Sequence, residues 1–334
     1  MNFLVIRFSS LGDCILLCPL LDHLKRSGAG EIVVVTKRAY ADVFACATGA
    51  DRVVALDAGA RPGALWRMAG EFRRRDYTVV DAHASWRSRV AAWRAGGVHA
   101  RIAKHTRARL GLIVFKRTAT LPSMLERYAA LCAPLGLPVP SLAPGGIHVP
   151  ADAARSAARA MGDAPFIAVA PGSRWPAKRW DGFARLCELL ARDANLLLVG
   201  DAADRAFTAP IACARGDRAL DLAGSTPLMH TAAYVARCRA FVGNDSGLMH
   251  LAEAVGVPVV SLFGPTVEAF GYYPSLARSR TIERRIPCRP CSRNGSTPCP
   301  RRTGECLTMI PAETVAHAVS TLFDASAPRR VVLD

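Results

Sequence analysis

Short, wholly apolar runs recur from the start of the chain, at positions 3–6, 32–35, 53–56 and 77–80. Apolar residues without alternation mark strands buried on both faces, as in a parallel sheet. Between them the apolar positions take helical spacing. Ile15, Leu16 and Leu17 with Leu20, Leu21 and Leu24 form one stripe that ends at Gly28. The alternation predicts a parallel sheet covered by helices on both faces. Residues 134–150 interrupt it with Pro134, Pro138, Pro140, Pro144, Gly145, Gly146 and Pro150 and almost no charge, the mark of a linker. Strands restart at 166–170, 196–199, 240–242 and 257–262, with a helix expected from about Trp180 to Arg192. The organisation expected is two α/β domains, 1–148 and 149–334, with a cleft between them. Ligands of such sheets sit beyond the carboxyl ends of the strands, so chemistry belongs in the loops there.

Composition narrows the class. With 334 residues, 51% hydrophobic and 21% charged, the chain has length for two cores and is too apolar for wholesale disorder. No apolar run reaches the roughly 18 residues of a membrane helix, and the first residues read as a strand and not a leader. Any membrane contact is therefore expected to be peripheral. Most of the 11 cysteines, such as Cys14, Cys18, Cys187 and Cys238, sit singly in apolar patterns, which suits reduced thiols in a cytoplasm. The net charge of +16 is uneven, because residues 1–148 carry 21 Lys and Arg against 10 Asp and Glu. Such a surface attracts nucleic acid, anionic lipid or a phosphorylated substrate.

Three loops carry candidate chemistry. Arg7-Phe8-Ser9-Ser10-Leu11-Gly12-Asp13 follows the first strand. Asp13 has two readings, the N-cap of a helix beginning at Cys14 or a carboxylate that takes the proton of an attacking hydroxyl. Pro171-Gly172-Ser173-Arg174-Trp175-Pro176-Ala177-Lys178-Arg179-Trp180 follows the first strand of the second half. Its Gly/Ser turn and Lys-Arg pair at a helix start suit a phosphate better than a solvated basic loop. Gly243-Asn244-Asp245-Ser246-Gly247-Leu248-Met249-His250 is again strand, turn and helix, with amides at 246–248 ready for an anion. Asp245 would repel a diphosphate and is expected to cap the helix or hold sugar hydroxyls. His250 either reaches a phosphate or packs. Gly264-Pro265-Thr266 ends the next strand as a plain turn or a closure over the ligand.

In these three loops, with their order kept over nearly the full chain, the sequence resembles glycosyltransferase family 9, the bacterial ADP-heptose:lipopolysaccharide heptosyltransferases. The resemblance implies a GT-B fold of two Rossmann-like parallel-sheet domains, and the C-terminal helix can pack back on the first. It implies acceptor binding by the first domain, ADP-heptose binding by the second, and an inverting displacement that needs no cofactor. Asp13 would be the base and Lys178 would balance the donor phosphates. Ser173, Asp204, Asp245, Ser246, Gly247 and His250 would complete the donor site, with Asp204 a ribose ligand. Ser9, Ser10, Gly12, Arg87 and Arg127 would face the acceptor, the two arginines being equally readable as solvated helix surface. The basic first half then has a partner in an acidic lipopolysaccharide inner core at a peripheral inner-membrane surface. Nucleic acid is not expected, since the Arg73-Arg74-Arg75 run has no interleaved aromatics.

Cys288, Cys291, Cys299 and Cys306 stand apart from this pattern. Four thiols within a Pro- and Gly-broken loop suit a structural zinc or iron ion or an iron-sulfur cluster, with disulfides disfavoured in a cytoplasm. This loop keeps a protein acceptor, such as an autotransporter, open as an alternative. A non-catalytic nucleotide-sugar or polyanion-binding protein is the third reading.

Overall fold

The computed structural model describes residues 1–57, 59, 62–73, 76–116, 119–190, 194–322 and 330–333. The chain forms two compact units, one of residues 1–104 and 122–148, the other of 105–121 and 149–334.

The first unit is built on a parallel sheet of β1 (Asn2–Ile6), β2 (Ile32–Lys37), β3 (Arg52–Leu56), β4 (Tyr77–Asp81) and β5 (Ala100–Arg101), in the order β3-β2-β1-β4-β5. Its helices are α1 (Leu11–Arg26), α2 (Ala41–Ala45), α3 (Pro62–Phe72), α4 (Trp86–Arg94) and, after α5 (Thr106–Phe115) of the other unit, α6 (Met124–Ala129). Phe3, Leu4, Val5 and Ile6 are all buried, as a strand covered on both faces requires. The Pro-rich segment is tied down at its end, where Ile147 bridges Ala47 and Thr48 N–H donates to Gly146.

The second unit carries seven parallel strands in the order β12-β11-β10-β9-β6-β7-β8. They are β6 (Phe166–Ala170), β7 (Asn195–Leu198), β8 (Ala219–Asp221), β9 (Ala240–Asn244), β10 (Val259–Phe263), β11 (Arg280–Arg284) and β12 (Arg330–Leu333). Helices α7 (Ala151–Met161), α8 (Phe183–Leu189), α9 (Arg205–Arg215), α10 (Leu228–Val235), α11 (Gly247–Ala254), α12 (Glu305–Thr308) and α13 (Ala312–Thr321) complete it. α13 buries Val315, Ala318 and Val319 in the core that holds Trp180, Phe183 and Leu186. α5 joins this unit through side chains: Arg109 lies 4.7 Å from the Phe270 ring centroid, and Lys116 Nζ donates to the carbonyls of Cys288 and Pro290.

Two helix starts differ from the sequence expectation. α1 begins at Leu11 with Ser10 as N-cap, and Asp13 is the third helical residue, its Oδ2 accepting from Ser10 N–H at 3.0 Å. The helix expected from Trp180 begins at Phe183, because Trp180 N–H is held by Asn244 Oδ1 at 3.0 Å and the indole N–H by Ile310 O. The expected end at Arg192 lies outside the described residues, as do Arg74 and Arg75. Among the described residues no helix is long and apolar enough to cross a membrane.

Candidate functional site

Strand order reverses between β1 and β4 in the first sheet and between β6 and β9 in the second. Loops leaving such a switch point diverge and leave room for a ligand. The first sequence loop leaves β1 in one unit, and the other two leave the adjacent strands β6 and β9 in the other, so within the second unit topology brings together two loops that the sequence separates.

In the first unit the centre is an ion pair. Arg7 Nη2 stands 2.7 Å from Asp13 Oδ2, both side chains at most 10% exposed. Ser10 Oγ donates to the same oxygen at 2.6 Å, Arg7 Nη1 donates to Ala82 O, and the Tyr128 hydroxyl donates to the Asp13 carbonyl at 3.0 Å. Asp13 therefore closes the helix start as its third residue and not as its N-cap, and it is an oriented carboxylate beside a guanidinium. Cys14 beside it is no nucleophile, since burial pushes its thiol up to about 12 against the opposing pull of Arg7. His83, 5.4 Å from Phe8 ring to ring, is pushed down to about 4, first by burial and then by Arg7 and Lys104. Ser9 is half-buried, Ser10 exposed and Gly12 buried. Arg87 lies 5.9 Å from the Phe8 ring centroid. Arg127 is buried, with Nη1 3.6 Å from Met124 Sδ, and is not a solvated surface arginine.

In the second unit the polarity is reversed. Lys178, in a single helical turn at Pro176–Lys178, meets buried Asp245 at 2.5 Å, and Thr266 Oγ1 donates to the same Asp245 oxygen at 2.7 Å. Asp245, expected to cap the helix or hold sugar hydroxyls, is not the cap and holds the lysine, while Ser246 is the N-cap of α11 and Gly247 its first residue. Ser246 Oγ is shielded from solvent and has no hydrogen-bond partner among the described residues. A helix N-terminus presenting unbonded N–H groups, a lysine and an unmatched hydroxyl can take an anion. His250 is buried one turn on, its ring 6.2 Å from Tyr272. Ser173 is half-buried. Asp204 crowds Gly172 so closely that a Cβ there would lie 2.0 Å from its carboxylate. Burial raises Asp204 above the usual carboxylate range, while Arg179 and an Asp201 amide oppose it.

Three side chains and one glycine that the sequence did not single out organise this second site. Asn244 Nδ2 donates to Pro171 O and Gly172 O while its Oδ1 takes Trp180 N–H, so one buried amide spans both loops. Arg289 donates to Gly264 O, Arg284 O and Thr266 O and pairs with Glu283 at 2.8 Å, which fixes the 264–266 turn. Gly295, at φ +84°, is contacted by the Lys178 stem, and a Cβ would lie 2.6 Å from Lys178 Cγ. Arg109 adds a guanidinium 5.8 Å from the Tyr272 ring centroid. Only the Gly-Asn-Asp turn gave any advance signal, for Asn244.

The cysteine loop thus lies against Lys178 and the 264–266 turn. Burial pushes the Cys306 thiol up to about 11, with Cys291, Cys288 and Cys299 adding to it and Arg289 opposing. The four sulfurs sense one another, yet among the described residues no three His, Cys, Asp or Glu side chains gather closely enough to hold one metal ion. The donor chemistry suits zinc or iron; the spacing of the sulfurs does not, and no step is derived through a metal.

A sequence profile of glycosyltransferase family 9 (heptosyltransferase) matches residues 65–299. The chain is 35% identical over 184 residues to lipooligosaccharide heptosyltransferase 2 of Haemophilus influenzae, covering 49% of this chain and 53% of that one. It thus spans about half the length of such curated relatives. With lipopolysaccharide heptosyltransferase 1 of Pseudomonas aeruginosa it shares 29% identity over 327 residues, 89% of this chain and 88% of that one. Among solved structures, E. coli ADP-heptose lps heptosyltransferase II superposes with a TM-score of 0.74 at 25% identity, covering 96% and 98% of the two chains.

Proposed function

Since the chain belongs to glycosyltransferase family 9, the heptosyltransferase family, and has its two parallel-sheet units of the GT-B type, we propose that it transfers a heptose from ADP-heptose to a lipopolysaccharide inner-core acceptor. The first unit holds the acidic acceptor and the second the donor. Asp13 takes the proton of the attacking hydroxyl as its oxygen bonds to the sugar C1, and the C1–O bond to the diphosphate breaks with inversion. Arg7 and Ser10 orient that carboxylate. The departing ADP carries away negative charge, which Lys178, Ser246 and the first amides of α11 stabilise. Asp245 and Thr266 hold Lys178 in place, His250 and Gly247 shape the turn, and Asp204 with Ser173 lies toward the ribose. Ser9, Gly12, Arg87 and Arg127 serve the acceptor. No cofactor enters the chemistry. The relatives named above act on lipopolysaccharide or lipooligosaccharide, which leaves a protein acceptor unfavoured. An acceptor of this kind places the enzyme in the cytoplasm at the inner-membrane surface.

The observation that supports the donor side is the meeting of Lys178, Asp245 and the partnerless Ser246 hydroxyl at the start of α11. A thermal-shift screen of nucleotide sugars tests it, because a ligand bound only by the folded state raises its stability. ADP-heptose is expected to raise the Tm above UDP- and GDP-sugars, and ADP release is expected only with a core acceptor present. Equal shifts for all nucleotide sugars would remove the donor assignment. At the cysteine loop, the four-thiol donor set supports a structural metal and the spacing of the sulfurs opposes it. Metal analysis after anaerobic purification decides, with one ion or cluster per chain supporting the site and none removing it.

A further inference from the structure

Helix α4 is amphipathic in the wrong sense for a face turned to water. Its inward side is Ser88, Ala91, Ala92 and, just past its end, Ala95, all buried. Its outward side carries Trp86 at 69% exposure, Val90 at 39% and Trp93 at 68%. Positions 86, 90 and 93 are spaced four and three apart and so share one face, with Trp86 and Trp93 about 10 Å apart along the axis. Trp66 of the neighbouring α3, 42% exposed, meets Trp93 with ring centroids 5.8 Å apart. Tryptophan is among the costliest side chains to leave in water, and an exposed cluster of them signals a surface meant to be covered.

Charge identifies the cover. Arg89 shares the exposed face, Arg94 lies 5.2 Å from the Trp66 ring centroid, and Arg67 and Arg73 are exposed on or beside α3. Residues 61–94 contain eight arginines and three acidic residues, and one of the acids, Asp81, is fully buried. A second copy of a chain bearing +16 would be repelled. Indole rings flanked by guanidinium groups match the boundary between phosphate headgroups and acyl chains, where an amphipathic ring is at home and arginine meets anionic lipid.

We propose that the Trp66, Trp86, Val90 and Trp93 face of α3 and α4 seats the protein on an anionic phospholipid bilayer. The same helix begins beside Arg87, so docking brings the membrane to the end of the β4 loop assigned to the acceptor. In that respect the inference deepens the proposed function; the lipid binding itself needs neither donor nor acceptor.

The test is flotation of the full chain with vesicles free of lipopolysaccharide, either pure phosphatidylcholine or with about a third phosphatidylglycerol. Wild type is expected to float with the anionic vesicles only and to be released by high salt. Trp86→Ser/Trp93→Ser is expected to lower partitioning about tenfold. Arg89→Glu is expected to weaken binding at low salt and to change little at high salt. Both variants should keep the wild-type Tm and, with a soluble delipidated core acceptor, wild-type turnover, which separates docking from the catalytic reading. Wild type that ignores anionic vesicles, variants that float equally well, or a Trp-dependent dimer in sedimentation equilibrium would each overturn the proposal.

Discussion

The two switch points share a topology and differ in electrostatic sense. In the first unit a carboxylate, Asp13, is held by a buried guanidinium, a serine hydroxyl and a helix start. In the second unit a lysine, Lys178, is held by a buried carboxylate, beside a hydroxyl with no partner among the described residues. The first site is closed around its own charge, whereas the second keeps capacity for a further anion. A base must be retained in one protonation state and geometry before the acceptor arrives. A donor site must gain part of its order from the diphosphate it binds. The same βαβ geometry serves both because only the sign of the group at the loop end changes.

The sharpest way to break this contrast is to remove charge from the first site while keeping its shape. Asp13→Asn is expected to lower kcat about a thousandfold and to leave the dissociation constant for ADP-heptose unchanged, as calorimetry on the purified variant would read. Turnover within tenfold of wild type would take Asp13 out of the chemistry and leave it a helix-start residue. Next in size is Lys178→Ala, expected to cost about a hundredfold in kcat. It should also loosen the donor, because Lys178 meets the diphosphate in ground and transition states alike. Loss of kcat without loss of donor affinity would mean that Asp245 keeps the lysine from the ground-state diphosphate.

A third prediction concerns the frame of the second site. Asn244→Ala removes one buried amide and strands Trp180 N–H and the carbonyls of Pro171 and Gly172. We expect a loss of about 3 kcal/mol in unfolding free energy by urea titration. In the first site Tyr128→Phe, which removes one hydroxyl bond to the Asp13 carbonyl, is expected to cost about 1 kcal/mol.

What was legible in the sequence follows the strength of the local signal. Strands β1, β2, β3, β4, β6, β7, β9 and β10 each hold an apolar run that the sequence shows directly. β5, with two residues, and β8, with three, are too short for a period to register. β11 reads Arg280-Thr281-Ile282-Glu283-Arg284, a charged string that becomes a strand because Glu283 finds Arg289 and lies beside β10. The attachment of α5 to the second unit depends on Arg109 and Lys116 meeting residues more than 150 positions away. Pattern along the chain carries no such contact. Ser10 takes the cap role expected of Asp13 for a similar reason, since either residue type suits a helix start and the pairing of Asp13 with Arg7 is a contact the local pattern does not show.

A pH effect probes how firmly the first site holds its charges. His83 has a folded pKa of about 4 against 6.5 for the free side chain, because burial and then Arg7 and Lys104 disfavour the imidazolium. Between these values the unfolded chain binds a proton that the folded chain does not. Stability from this residue is therefore complete above about pH 6.5 and is lost as pH falls toward 4. His83→Gln keeps a polar side chain and removes the titration. The drop in Tm between pH 6.5 and 4 should be smaller for this variant than for wild type, with little difference at pH 8. An equal drop in both proteins would mean that His83 is free to protonate beside Arg7. The first site would then tolerate a second cation, and its contrast with the anion-ready second site would weaken.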